Sequence, residues 1–127
     1  MNKEFIPYEQ ALELKELGFD EPCFGYYSNS KEHLGEIWYE MPNKGQDYIP
    51  VGDILAPLKS QFFKWVREKY KISGTPQYFT GGYYCYTIND MKDTEKSNRL
   101  FTEFETYEEA ELACLKKLIE IVKNKKD

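Results

Sequence analysis

Cysteine and histidine are scarce in these 127 residues, with three of the first and one of the second. Cys23, Cys85 and Cys114 form no CxxC pair, and with ligands so dispersed the lone His33 completes no ordinary zinc set. A secreted disulfide scaffold of this length carries more cysteines, in even number. Each cysteine instead sits in an apolar run (Pro-Cys-Phe, Tyr-Cys-Tyr, Ala-Cys-Leu), where a free thiol acts as a small core side chain. A reducing cytoplasm is therefore the expected compartment. A catalytic role for His33 needs a partnered nucleophile. One residue in the polar stretch Ser28–Gly35 supplies no such constellation, and the expectation is a surface connection.

Long apolar runs are also missing. No segment nears the roughly 20 residues that a membrane span requires, and the opening Met1–Pro7 lacks the apolar core of a signal peptide. No G-x-S-x-G or HExxH occurs, and Gly81-Gly82 lacks the spaced glycines and trailing Lys-Ser/Thr of a phosphate loop. Bases are the minority: 22 acids against 17 give a formal charge of −5, so a phosphate backbone has no global reason to approach. Nucleic acid is the least expected partner, and no membrane, metal or cofactor is expected.

What is present in excess is aromatic: 11 Tyr, 8 Phe and 2 Trp, within 41% hydrophobic residues. That is enough for one core, and residues 1–127 are read as one α+β domain. A first helix runs from Tyr8 to Leu17, with Pro7 suited to its start and Gly18 to the position past its end. Tyr8, Ala11, Leu12 and Lys15 line one side, broadened by Leu14 and Leu17. Cys23–Tyr27 and Glu36–Met41 read as an antiparallel hairpin, the second with Ile37, Tyr39 and Met41 alternating against Glu36, Trp38 and Glu40. Trp38 falls on the wet side. Residues 42–52 read as a loop.

A second helix is expected over Pro57–Tyr70 on the stripe Leu58, Phe62, Trp65, Val66 and Lys69, with Asp53 a candidate cap. Ile72–Pro76 reads as its end. Gly81-Gly82, between the aromatic runs of Gln77–Ile88, is a two-residue hairpin signal, because a mirror-image turn needs positive φ at both positions. A glycine bulge or one longer bent strand are the alternatives. Asn89–Asn98 reads as a loop, and Arg99–Phe104 as the last strand with Leu100, Thr102 and Phe104 on one face. Thr106 and Glu109 form a capping box for a final helix from Tyr107 to about Lys123. Its wide apolar face (Ala110, Leu112, Ala113, Cys114, Leu115, Leu118, Ile119, Ile121, Val122) suits broad packing on a sheet or a dimer interface. The expected architecture is a small antiparallel sheet of four to five strands with three helices, in the order α-β-β-α-β(-β)-β-α.

Three helical segments carry a resemblance. Tyr8–Cys23, Phe62–Tyr70 and Thr106–Glu120, about 40 residues together, resemble a family of small uncharacterised proteins of Bacteroidetes and their phages. The resemblance implies a phage or mobile-element setting and no activity, and no site residues are carried over from it.

Charge is unevenly spread. Residues 57–75 hold five bases and one acid, whereas residues 76–115 hold three bases and eight acids. Lys64 and Arg67 therefore lie on a locally basic helix, for which the plain reading is a solvated face with Lys64 pairing Glu68. On the Tyr-rich strand, Tyr84, Tyr86 and Ile88 form one row and Tyr83, Cys85 and Thr87 the other. If helices cover one face only, the other row joins Trp38 as a contact surface. The candidate binding residues are thus Trp38, Tyr83, Tyr86, Lys64 and Arg67; no catalytic residue is singled out. The leading expectation is a non-enzymatic cytoplasmic protein acting by protein–protein contact, with itself as a homodimer or with another protein. The alternative is a nucleotide-like ligand stacked on the tyrosines beside the basic helix.

Overall fold

The computed structural model describes residues 4–28, 36–38, 52–79, 81–91 and 99–125. Its element order is α1 (Tyr8–Glu16), β1 (Gly25–Tyr27), β2 (Ile37–Trp38), β3 (Ile54–Ala56), α2 (Lys59–Tyr70), β4 (Ile72–Phe79), β5 (Tyr83–Asp90), β6 (Arg99–Phe104) and α3 (Tyr107–Lys125). The α+β class stands. The strands, however, are shared between two three-stranded antiparallel sheets, ordered β2-β1-β3 and β4-β5-β6, rather than joined in one. The chain packs as two compact units, residues 1–62 and 63–127, with the division falling inside α2. Among the described residues no helix is long and apolar enough to cross a membrane.

In the first unit α1 packs against β3. The helix buries Ala11 and Leu14, and Leu17 follows at the same spacing. The buried face is therefore centred on these three rather than on the Tyr8–Lys15 side, where Lys15 is exposed. Leu17 caps the end and Gly18 takes φ +90°. Its N–H bonds the Lys15 carbonyl at 3.1 Å and the Phe19 N–H bonds the Leu14 carbonyl at 3.0 Å, the left-handed helix stop that Gly18 predicts. Tyr8 meets Tyr27 edge-on at 5.5 Å, and the Tyr27 hydroxyl donates to the Ile6 carbonyl at 2.6 Å.

The expected hairpin is present, with Tyr26 opposite Trp38 and Tyr27 opposite Ile37. On its other side β1 pairs with β3, a strand the sequence pattern did not reveal. All three residues of β3 are buried, so no alternation marks it. The run instead looked like the approach to a helix beginning at Pro57. In fact Asp53 directly precedes β3, Leu58 bridges to Phe5, and α2 starts at Lys59, where the Gln61 side chain accepts the Leu58 N–H at 3.4 Å. His33, Tyr39, Met41 and most of the 42–52 loop lie outside the described residues.

In the second unit β4, β5 and β6 form a meander, and α3 returns across one of its faces. The segment read as a helix terminator is strand: Ile72 pairs with Asp90, Gly74 with Ile88 and Pro76 with Tyr86. Proline is tolerated because β4 is the outer strand of its sheet. Glycine at 74 has another reason. A β-carbon there would stand 2.7 Å from both Cys114 Sγ and Leu118 Cδ1, so these two helix side chains lie on the strand where any side chain at 74 would have to displace them.

Register places Phe79 opposite Tyr83, so the connection between the paired strands is three residues long rather than the expected two, and a single bent strand is decided against. Gly81 and Gly82 both have positive φ, +119° and +95°, as a tight connection requires. Between β5 and β6 the register slips: Tyr84 faces Phe104, but Tyr86 faces Phe101. Two residues of β6, Thr102 and Glu103, thus stand against the single Cys85 of β5, and this bulge interrupts the expected Leu100–Thr102–Phe104 alternation. The Asn89–Asn98 loop shrinks at its start, because β5 continues to Asp90; residues 92–98 lie outside the described ones.

The N-cap at Thr106 is formed, but the reciprocal bond of the expected capping box falls one residue earlier, on the Glu105 N–H rather than that of Thr106. Thr106 Oγ1 accepts the Glu109 N–H at 3.1 Å, and the Glu109 carboxylate accepts the Glu105 N–H at 3.2 Å. Along α3 the buried set is Ala110, Cys114, Leu115, Leu118, Ile119 and Val122, while Leu112, Ala113 and Ile121 are half-buried. Six of the nine residues of the wide apolar face are thus buried by the fold.

Two substitutions test this packing. Gly74→Ala forces α3 off β4 and is expected to lower stability by about 1–3 kcal/mol. Lys71 ends α2 at φ +60°, an ordinary glycine position, so Lys71→Gly is expected to raise stability by about 1 kcal/mol. Urea midpoints at unchanged m-value check both signs.

Candidate functional site

The packing of α3 across the meander sorts the tyrosines. Gly74 faces the helix, and its partner Ile88 shares that side, so by alternation Tyr86, Tyr84 and the Tyr78 opposite Tyr84 do too. Tyr86 lies under the helix, 4% exposed and 5.8 Å from the Phe104 ring. It is core, which corrects its selection as a surface residue. Tyr83 points the other way and is 51% exposed, as expected, but stands apart from the ring cluster.

The cluster forms beyond the start of the helix. Tyr78 and Tyr84 meet edge-to-face across the strand pair, with centroids 5.4 Å apart, and Tyr84 meets Tyr107, the first residue of α3, at 6.3 Å. Tyr78 is 61% and Tyr107 42% exposed, with Tyr84 half-buried between them. The result is a ledge of three rings from three elements, each ring edge held by the next. Such pairs contribute about 0.5–1.5 kcal/mol each beyond burial. Rings fixed this way lose little further entropy on contact. Tyr107 was not picked out from the sequence, although its place directly after the capping Thr106 fixes where it emerges.

The charges beside the ledge are carboxylates. Burial raises the Tyr107 pKa, and Glu111, Cys114 and Glu108 raise it further. Glu105, Glu108 and Glu109 are all exposed. By contrast, residues 72–89 contain no charged side chain, and residues 100–115 contain five glutamates and no base.

The other candidates resolve differently. Lys64 and Glu68 stand 4.0 Å apart, each 65% exposed, the solvated pair expected of a helix surface. Arg67 is exposed on the same helix. Lys69 lies over the rings of Trp65 and Tyr70, at 5.2 and 5.6 Å, so its stem covers the aromatic stripe it was assigned to. Trp38 is placed in β2, in the first unit; the exposure expected of its side chain lies outside what is described.

Cys23, Cys85 and Cys114 are free and buried. Burial pushes the Cys23 thiol up to about 12, partly countered by the Gln61 side chain and reinforced by Glu21 and Asp20. The Cys114 thiol is likewise pushed up to about 12 by burial and by Glu111. Neither is prepared as a thiolate nucleophile. Among the described residues no group of three or more His, Cys, Asp or Glu side chains is arranged to hold a metal ion.

These raised values have a consequence for alkaline stability. Unfolding returns both thiols to about 9 and Tyr86, held at about 12 by burial and then by Cys114 and Glu120, to about 10. Below pH 9 both states keep the protons, so the contribution is complete. Above it the unfolded chain releases protons that the folded chain retains, and stability falls as pH rises toward 12. Thermal unfolding at stepped pH is expected to show a steady loss of Tm from about pH 9 upward.

Comparison with protein families, with curated proteins and with solved structures finds no match to this chain.

Proposed function

We propose that this chain is a non-enzymatic contact protein that docks a protein partner on the ledge formed by Tyr78, Tyr84 and Tyr107. The observation that carries the reading is the chain of edge-to-face rings at 5.4 and 6.3 Å with its two outer members open to solvent. A rim tyrosine with a wet hydroxyl needs no such neighbours. Rigid, amphipathic rings in contact are what protein interfaces concentrate at their energetic centres. The buried thiols supply no nucleophile beside it. Three free thiols held in the cores also fit a reducing cytoplasm. A phage or mobile-element setting, implied by the helical segments, suits a small protein that acts on another protein.

Self-association through α3 is a simpler form of this reading, but most of the apolar face of that helix is buried, and only Leu112, Ala113 and Ile121 are left half-buried for it. The ledge is therefore the better contact surface. A nucleotide-like ligand fits less well, since Tyr86 is core and the charges beside the exposed rings repel phosphate.

A photoreactive phenylalanine analogue at position 78 of the full chain, expressed in its cell of origin, is expected to give one discrete cross-linked species. The same group at Lys116, exposed on α3, is expected to give none. Equal diffuse labelling from both positions on gels and by mass spectrometry rejects the reading.

A further inference from the structure

We infer that the partner segment received by the tyrosine ledge is basic, presenting lysine or arginine side chains to the rings. This deepens the reading above and rests on it. The ledge combines two features that recognise the same group. Ring faces attract cations through their quadrupole, most effectively for arginine, which also stacks. Carboxylates at the same place add Coulombic attraction and discriminate against anions.

The charge asymmetry at this place is one-sided. Two of the rings stand on the uncharged segment 72–89, and the third stands within the stretch 100–115, whose charges are all glutamates. Glu111 stands one helical turn on from Tyr107, at i+4, and Glu108 follows it directly in α3. Glu109 has a structural task as a cap, but Glu105 and Glu108 extend exposed beside the first turn. Helix capping alone accounts for one of these acids; it does not account for the absence of any compensating base among them. An apolar partner would gain from the rings but leave the carboxylates to be desolvated without compensation. An acidic partner would be repelled. A cationic segment satisfies both.

The test titrates short labelled peptides into the full-length chain and reads fluorescence anisotropy. One peptide is arginine-rich, one replaces each arginine by glutamate, and one is neutral and carries leucines. The arginine peptide is expected to bind saturably and more tightly than the other two, and to weaken as salt is raised. Tyr78→Ser with Tyr107→Ser is expected to weaken it by roughly 2- to 5-fold for each ring removed. Tyr107→Phe, which keeps the ring, is expected to retain binding. Glu105→Gln with Glu108→Gln is expected to weaken binding and flatten its salt dependence. Circular dichroism establishes that each variant is folded.

Three results overturn the inference. Binding of the arginine peptide that ignores the tyrosine variants is diffuse attraction to an acidic chain. Equal, tyrosine-dependent binding of the neutral peptide means an apolar partner, and leaves the wider contact reading standing. Absence of binding by every peptide removes the basic segment, while the cross-link at position 78 decides separately whether the ledge is an interface.

Discussion

The second unit depends on one close approach, that of α3 to β4 at Gly74. The missing β-carbon lets Cys114 and Leu118 settle onto the strand backbone, where any side chain would collide with both. That contact sets the height of the helix above the sheet, and therefore which residues of β5 it covers. It buries Ile88 and Tyr86 and leaves Tyr84 half-covered where the helix begins. It also brings Tyr107 to Tyr84, because the Thr106 N-cap fixes the first helical residue relative to β6. The position of the ledge thus follows from helix-on-strand packing some four residues away along each strand, and the ring contacts then hold the tyrosines in place.

The same packing separates two kinds of polar aromatic and sulfur chemistry. Under the helix, burial holds the Cys114 thiol and the Tyr86 phenol in their neutral forms, and Cys114 adds to the cost of ionising Tyr86. At the end of the helix the rings meet water and glutamate. Only the second environment can exchange contacts with another molecule. The first unit follows a parallel logic on a smaller scale, with Cys23 donating to the Glu21 carbonyl at 3.2 Å and Tyr27 tied by its hydroxyl to Ile6.

Elements with a strong local signal were legible in the sequence. The Thr106 N-cap, the Gly18 helix stop and the Gly81-Gly82 hairpin each rest on interactions within a few residues; the helix stop forms as read, while the return bond of the cap moves to Glu105 and the hairpin connection is one residue longer than the sequence suggests. β3 was not legible: three buried residues have no period, and Pro57 imitates a helix start. The beginning of β4 was obscured for a different reason. Gly74 and Pro76 usually punctuate, but here one makes room for a helix and the other occupies an outer strand, and both purposes are tertiary. The candidate site divides along the same line. Alternation correctly set Tyr83 and Tyr84 on opposite faces, yet which face the helix would cover was fixed by Gly74. Tyr86 was consequently assigned to the surface, and Tyr107, distant in sequence, went unnoticed.

The outer position of Pro76 has a bearing on how such a surface survives in a crowded cell. A strand at the margin of a sheet offers unsatisfied amide groups to any extended chain that drifts past, and a run flanked by exposed rings would be a strong template for it. Proline removes one amide donor midway along β4. The interruption makes fibrillar stacking on this margin costly, so that adhesive rings and an insulated border coexist within one eight-residue strand.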